Sequence, residues 1–262
     1  MHDSLWDALS AVRERAPLVH NITNYVVMNN TANALLALGA SPVMAHAVEE
    51  VEDLVGLSGA LVINIGTLSE PWIAAMRLAA VRARDAGVPW LLDPVGAGAT
   101  RFRNETAAEL VGLRPNVVRG NGSEIMALAG AAGATKGVDS TASSEAAVDL
   151  AKHLAAHTGG VAAVTGAVDY VTDGERVHSV SNGDPMMSRV TGLGCSASAV
   201  IGAFLAVEND SLAATVHALA VFGVAGEIAA EGAAGPGSLQ LRLLDALHAL
   251  DRSTLEKRAR ID

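Results

Sequence analysis

Ala60-Leu-Val-Ile-Asn-Ile-Gly66 is an apolar run that stops at a glycine, and Ser69-Glu-Pro71 follows closely. Such a run reads as a strand buried on both faces. Ser69 and Pro71 then mark a helix start, because proline in the first turn has no intrahelical N–H bond to lose. The helix runs to Ala86, where Gly87 closes it. Val88-Pro-Trp-Leu-Leu92 is the next strand and ends in Asp93-Pro94.

The same alternation extends in both directions. Asp3–Ala16 carries Leu5, Trp6, Leu9 and Val12 on one helical face. Leu18–Asn21 reads as a short edge strand, and Val26–Leu38 as a helix closed by Gly39. Ser41–Met44 is a short strand and Val48–Leu57 a helix rich in acidic residues. Beyond Asp93, Glu105–Leu113 reads as a short helix, Asn116–Arg119 as a strand, and Asn121 opens another helix. A polar loop at Lys136–Ser144 leads into a helix to about His157, and Val161–Thr165 is a strand. Tyr170–Val180 alternates around Asp173-Gly174, a strong hairpin signal. Helices at about Leu212–Ala230 and Gln240–Asp251 close the chain. The expected fold is α/β, with a mostly parallel central sheet and helices on both faces. No repeat, low-complexity tail or linker interrupts it, so one domain over 1–262 is expected.

Half the residues are hydrophobic but only 3% are aromatic, so the core is built from Ala, Val, Leu and Ile. A net charge of −10 argues against nucleic-acid and anionic-membrane partners, which reward a basic face. One cysteine allows neither an internal disulfide framework nor a cysteine-based zinc site. The N-terminus lacks the basic start and apolar core of a signal peptide. Val190–Val207 is uncharged and nearly long enough to span a membrane. Its first half is rich in Thr, Gly and Ser, and no second clean span is expected after it. It reads as a buried helix of a soluble, cytoplasmic protein.

That segment also carries the chemistry. Thr191-Gly-Leu-Gly-Cys195 is a tight turn running into an apolar helix, whose first amides lack intrahelical partners and suit an anion. Cys195 stands at that junction. It is either a small buried hydrophobe or a working thiol, since a helix N-terminus favours the thiolate. Met44, Gly66, Asp93, Arg119 and Thr165 all follow strands, and ligands of open α/β sheets bind at the carboxyl ends of the strands. Asn121-Gly-Ser-Glu124 serves as a helix capping box or places Glu124 near a hydrated Mg²⁺ beside phosphates. Asp93 is a turn former or a holder of metal-bound water. Arg119 is a nucleotide-phosphate ligand or half of an ion pair. Thr165 offers a hydroxyl to a phosphate, and Met44 fills a core gap or touches substrate. His20, His46 and His217 have no spacing that suggests a metal or a triad.

Together these segments resemble the hydroxyethylthiazole kinase family. The resemblance is carried by His20-Asn-Ile-Thr-Asn24, Thr31-Ala-Asn33, Leu38–Met44, Asn64-Ile-Gly-Thr-Leu68 and Leu92-Asp-Pro-Val-Gly-Ala-Gly98. Val118-Arg-Gly-Asn121, Thr165-Gly166 with Asp169, Val190–Cys195 and Gly235-Pro-Gly-Ser238 continue it in order. It implies a ribokinase-like fold and transfer of a phosphoryl group from ATP, with Mg²⁺, to 4-methyl-5-(2-hydroxyethyl)thiazole in thiamine biosynthesis and salvage. It further implies thiazole contacts at Met44 and Gly192, ATP contacts at Arg119 and Thr165, and a magnesium and phosphate region at Asp93 and Glu124. A homotrimer with sites at subunit contacts is implied, with Asn24 reaching a neighbour's substrate. The amides from Gly192 to Cys195 would form the anion hole, with Gly192, Gly194 and Cys195 as the catalytic residues. Related kinases place Asp where Cys195 stands, so Cys195 is expected to contact the hydroxyl and assist weakly. Two departures stand out: Leu193 replaces a usual Thr in the turn, and Asn29-Asn30 replaces a usual aromatic position. A kinase for a pyrimidine or sugar alcohol, a nucleotide-repair dehydratase and a non-catalytic nucleotide binder are the competing readings.

Overall fold

The computed structural model describes residues 2–131 and 144–262. The polar loop expected at Lys136–Ser144 lies outside the described residues up to its last position. The chain begins α1 (His2–Arg15), β1 (Leu18–Ile22), α2 (Met28–Leu38), β2 (Ser41–Val43), α3 (Val51–Leu57) and β3 (Ala60–Asn64). It continues α4 (Glu70–Ala86), β4 (Trp90–Asp93), α5 (Arg101–Gly112), β5 (Val117–Asn121) and α6 (Gly122–Ala131). Then come α7 (Ser144–Thr158), β6 (Val161–Thr165), β7 (Asp169–Thr172) and β8 (Val177–Val180). A 3-10 turn (Pro185–Arg189) precedes α8 (Leu193–Leu205), α9 (Ser211–Glu231), α10 (Pro236–Ala249) and α11 (Arg252–Arg258).

The strands form one sheet in the order β2-β1-β3-β4-β5-β6-β7-β8. Every pair from β2 to β6 is parallel, and β6-β7-β8 is antiparallel. Because side chains alternate along a strand, the sheet feeds two cores. Val19, Val62, Leu91 and Val117 face the core shared with α1, α2 and α8–α11. Leu61, Ile63, Leu92 and Val118 face the core shared with α3–α7. On α8, a Cβ added at Gly202 would lie 2.6 Å from Val62 Cγ2, so the helix seats on the sheet only because that position has no side chain.

Three expectations need correcting. β1 is an interior strand, and β2 is the edge. His20 and Asn21, polar residues of this interior strand, are both buried, and the His20 ring bonds the Ala45 carbonyl at 2.8 Å. α5 starts four residues earlier than expected, because the Thr100 hydroxyl caps it by accepting from the Arg103 amide. The 3-10 turn and α11 fall where the sequence reading named no element, although Asp184 and Asp251 cap them. Finally, α9 is also long and apolar enough to cross a membrane by composition, but 83% of its apolar window is buried within the fold.

Candidate functional site

The parallel strands bring Asn24, Met44, Asn64, Asp93, Arg119 and Thr165 to one rim, and α8 points its N-terminus at the middle of it. The turn that starts α8 is sequence-determined. Gly192 has φ +83°, a left-handed conformation costly for other residues, and a Cβ there would lie 2.8 Å from Val27 Cγ1 at the start of α2. Gly192 provides no side-chain cap, and its carbonyl receives the Ser196 amide at 2.8 Å. The amides of Leu193, Gly194 and Cys195 are therefore left without intrahelical partners. Asn30, one of the two departing asparagines, approaches the Thr191 carbonyl and accepts from Gln240 at 3.1 Å.

On one side of this helix end lies a connected polar network. Asn24 Nδ2 donates to Asn64 Oδ1 at 2.8 Å and to Cys195 Sγ at 3.6 Å. Asn64 Nδ2 donates to Asp93 Oδ2 at 2.8 Å, and the Ser198 hydroxyl donates to the same oxygen at 2.8 Å. Asp93 is 1% exposed. Burial pushes its carboxyl up to about 6, against the pull of Arg119, Ser198 and Asn64 and with the push of Glu124. Burial, then the nearby Asp93, drives the Cys195 thiol up to about 11. Of the two readings of Cys195, the raised thiol favours the buried, protonated one over the thiolate. Ser198 and Asn64 were not singled out from the sequence. Both left a trace, a buried hydroxyl one turn past Cys195 in an apolar helix and an amide at the end of an apolar strand.

Arg119 lies on the other side. Its Nη1 is 3.0 Å from where a Cβ on Gly194 would stand, directly at the helix start. Its Nε is buried and has no hydrogen-bond partner. A guanidinium whose Nε has no hydrogen-bond partner, next to helix amides without intrahelical ones, suits an anion. Arg119, Gly194 and Thr165 line a cavity of about 520 Å³, with Asp169, Leu193 and Phe222 among its other walls. Leu193, where a hydroxyl was missing, is 7% exposed and gives this cavity an apolar side. The Thr165 hydroxyl donates to the Gly120 carbonyl at 3.3 Å. Asp169 accepts from the Gly166 amide at 2.9 Å, and desolvation raises its carboxyl to about 6.

Glu124 makes the capping box: its Oε2 accepts from the Asn121 amide at 2.8 Å, and Asn121 Oδ1 accepts from the Glu124 amide at 3.0 Å. Its Oε1 also accepts from the Gly96 amide at 2.9 Å, tying the turn after β4 to α6. Among the described residues, no three His, Cys, Asp or Glu side chains form a metal-holding group. Met44 stands at the carboxyl end of β2 and is half-buried, at the outer edge of the rim. Of the histidines, His20 is buried against Ala45, His46 packs on Trp72, and His217 pairs with Glu208 at 2.9 Å.

Residues 9–253 match the hydroxyethylthiazole kinase family profile. A Granulibacter bethesdensis protein named hydroxyethylthiazole kinase is 59% identical over 252 residues, covering 96% of this chain and 92% of that protein. The solved hydroxyethylthiazole kinase of Pyrococcus horikoshii superposes with a TM-score of 0.93 at 48% identity, covering 99% of this chain and 98% of that one. A Bacillus subtilis pyridoxal kinase solved with ADP is 16% identical with a TM-score of 0.60, covering 80% of this chain and 91% of its own, a likeness of fold alone.

Proposed function

Since the chain belongs to the hydroxyethylthiazole kinase family and phosphorylates the thiazole alcohol of thiamine metabolism, we propose that the α8 N-terminus is where the phosphoryl group passes from ATP to the hydroxyl. The observation that carries this reading is Arg119, whose buried Nε has no partner while its Nη1 sits over the Gly194 helix start. The 520 Å³ cavity beyond it supports a nucleotide on that side, where the Thr165 hydroxyl would turn from the Gly120 carbonyl to a phosphate oxygen. The thiazole belongs on the other side, beside Gly192, Met44 and Asn24. Asn24, expected to reach a neighbour's substrate, is instead buried and bonded to Asn64 and Cys195 of its own chain, so it is assigned to this chain's acceptor side.

Phosphoryl transfer needs positioning and charge neutralisation more than covalent help. The amides from Gly192 to Cys195 receive the charge that moves onto the transferring group, and Arg119 adds a fixed cation beside them. Cys195 stays protonated, so it orients the hydroxyl rather than removing its proton. In a loose transition state that proton leaves late, and a strong base is not required. Asp93, with one oxygen already taken by Asn64 and Ser198, fixes this geometry from below.

Magnesium arriving with ATP would offset phosphate charge. Asp93 and Glu124 fit such an ion through its water shell, not as a resident site. The Glu124 oxygens are engaged by two amides, and no three-ligand group exists among the described residues. A homotrimer is supported by a three-residue edge strand, β2, beside a surface where Tyr25 is 65% and Val26 62% exposed. One continuous sheet supports a single domain, and the acidic, uncharged-core composition supports a cytoplasmic location.

The test is coupled ADP release with the thiazole alcohol, with a pyrimidine alcohol and without acceptor. Release dependent on the thiazole alone is expected. Release with the pyrimidine alcohol only, or equal release without acceptor, contradicts the reading. Light scattering should give three chain masses; one or two would remove the trimer.

A further inference from the structure

We propose that Arg103, which lies outside the cavity and its lining, is a positioning residue for phosphoryl transfer. It fixes the turns after β3 and β4 so that Asn64 and Asp93 meet Asn24 and Cys195; this rests on the reading of the cleft given above. Its Nη1 donates to the Ile65 carbonyl at 2.6 Å and to the Val95 carbonyl at 2.7 Å. Nη2 donates to the Gly66 carbonyl at 2.7 Å. The guanidinium partners are thus three backbone carbonyls from two turns rather than a carboxylate. Hydrogen bonds from a charged donor are the strong class, and a planar fork spans two turns where an ammonium cannot.

What those turns carry makes the clamp matter for chemistry. The Gly66 amide donates to Asn64 Oδ1 at 2.9 Å, the oxygen that also receives Asn24. Gly66 packs on Asn24 so closely that a Cβ would stand 2.5 Å from Asn24 Nδ2. A shift of the Gly66 carbonyl therefore displaces Asn24, and through it the contact with Cys195. On the other turn, the Val95 amide donates to the Asp93 carbonyl at 2.9 Å. Val95-Gly96 is gripped from opposite sides, by the Arg103 cation on the Val95 carbonyl and by the Glu124 anion on the Gly96 amide. Arg103 also sits in the first turn of α5, ordered by the Thr100 cap, so its placement is built into the helix start.

The experiment compares wild type, Arg103→Lys and Arg103→Met by steady-state kinetics and by hydrogen exchange of peptides covering residues 64–68 and 93–98. In both variants kcat should fall at least tenfold while the KM for ATP stays within threefold, because the Arg119 cavity is untouched. Exchange should quicken at the two turns and not in β6 or α9. Lys preserves the charge without the fork, so its failure to restore kcat separates positioning from simple charge. Full kcat in Arg103→Lys, unchanged exchange at both turns, or a loss confined to the KM for ATP would each overturn the proposal. If wild type shows no thiazole-dependent turnover, the cleft reading fails instead, and the exchange arm still decides the clamp. Arg103→Lys keeps the aliphatic stem and supplies a folded variant if Arg103→Met does not fold.

Discussion

The two halves of the cleft are built on opposite principles. The acceptor side, Asn24–Asn64–Asp93–Ser198 with Cys195, is closed on itself: each carboxamide or carboxylate finds a partner within the protein. The nucleotide side leaves a guanidinium and a run of helix amides without one, next to an open cavity. A satisfied network holds shape, and an unsatisfied one holds affinity. The rim therefore separates the task of orienting an alcohol from that of binding phosphate charge.

Breaking the shared hinge should have the largest effect. Gly192→Ala forces a Cβ into left-handed backbone at a cost of roughly 1–2 kcal/mol, and against Val27 as well. It should lower kcat at least a hundredfold with a measurable fall in Tm; a variant with normal kcat would remove the turn from the site. Next comes the charge held inside the closed half. The Asp93 carboxyl rises from 3.8 to about 6 in the fold, so the folded chain holds that proton more tightly than the unfolded one. Its stabilising contribution is complete below pH 3.8 and is lost as pH climbs through 6. The difference corresponds to about 3 kcal/mol at most. Asp93→Asn should raise Tm at pH 7.5 and leave it nearly unchanged at pH 4; thermal melts showing equal shifts at both pH values would contradict this.

Cys195 gives a smaller effect. With its thiol pushed up to about 11, iodoacetamide at pH 8 should label it about a hundredfold more slowly than free cysteine. Cys195→Ala should cost kcat only about three- to tenfold, as expected of one lost orienting contact. Rapid labelling, or turnover unchanged in Cys195→Ala, would reduce Cys195 to packing. Smallest is Thr165→Val, which should raise the KM for ATP about two- to fivefold, since its hydroxyl only exchanges the Gly120 carbonyl for a phosphate oxygen. An effect on the KM for the thiazole instead would move Thr165 to the other half.

The sheet was legible because β3, α4 and β4 spell their boundaries in local chemistry: an apolar run, a proline-marked helix start and a closing glycine. The order of strands was less so, since β1 hides a buried His and Asn whose partners come from elsewhere in the fold. Gly192, Gly194 and Arg119 could be read because a turn, a helix start and a strand end are local features. Asn64 and Ser198 act through contacts 29 and 105 positions away and Arg103 through ones 8, 37 and 38 away, so no local pattern names their partners. Glu124 shows the converse. Its capping spacing was visible, but its grip on Gly96 exists only in three dimensions.

The division of the cleft is tested most directly by the KM values for ATP and for the thiazole alcohol, measured side by side in Arg119→Ala and Asn24→Ala. Arg119→Ala should raise the KM for ATP at least tenfold and move that for the thiazole less than threefold, and Asn24→Ala should do the reverse. Equal changes in both KM values for both variants, or the opposite pairing, would contradict a cleft with one half for phosphate and one for the alcohol.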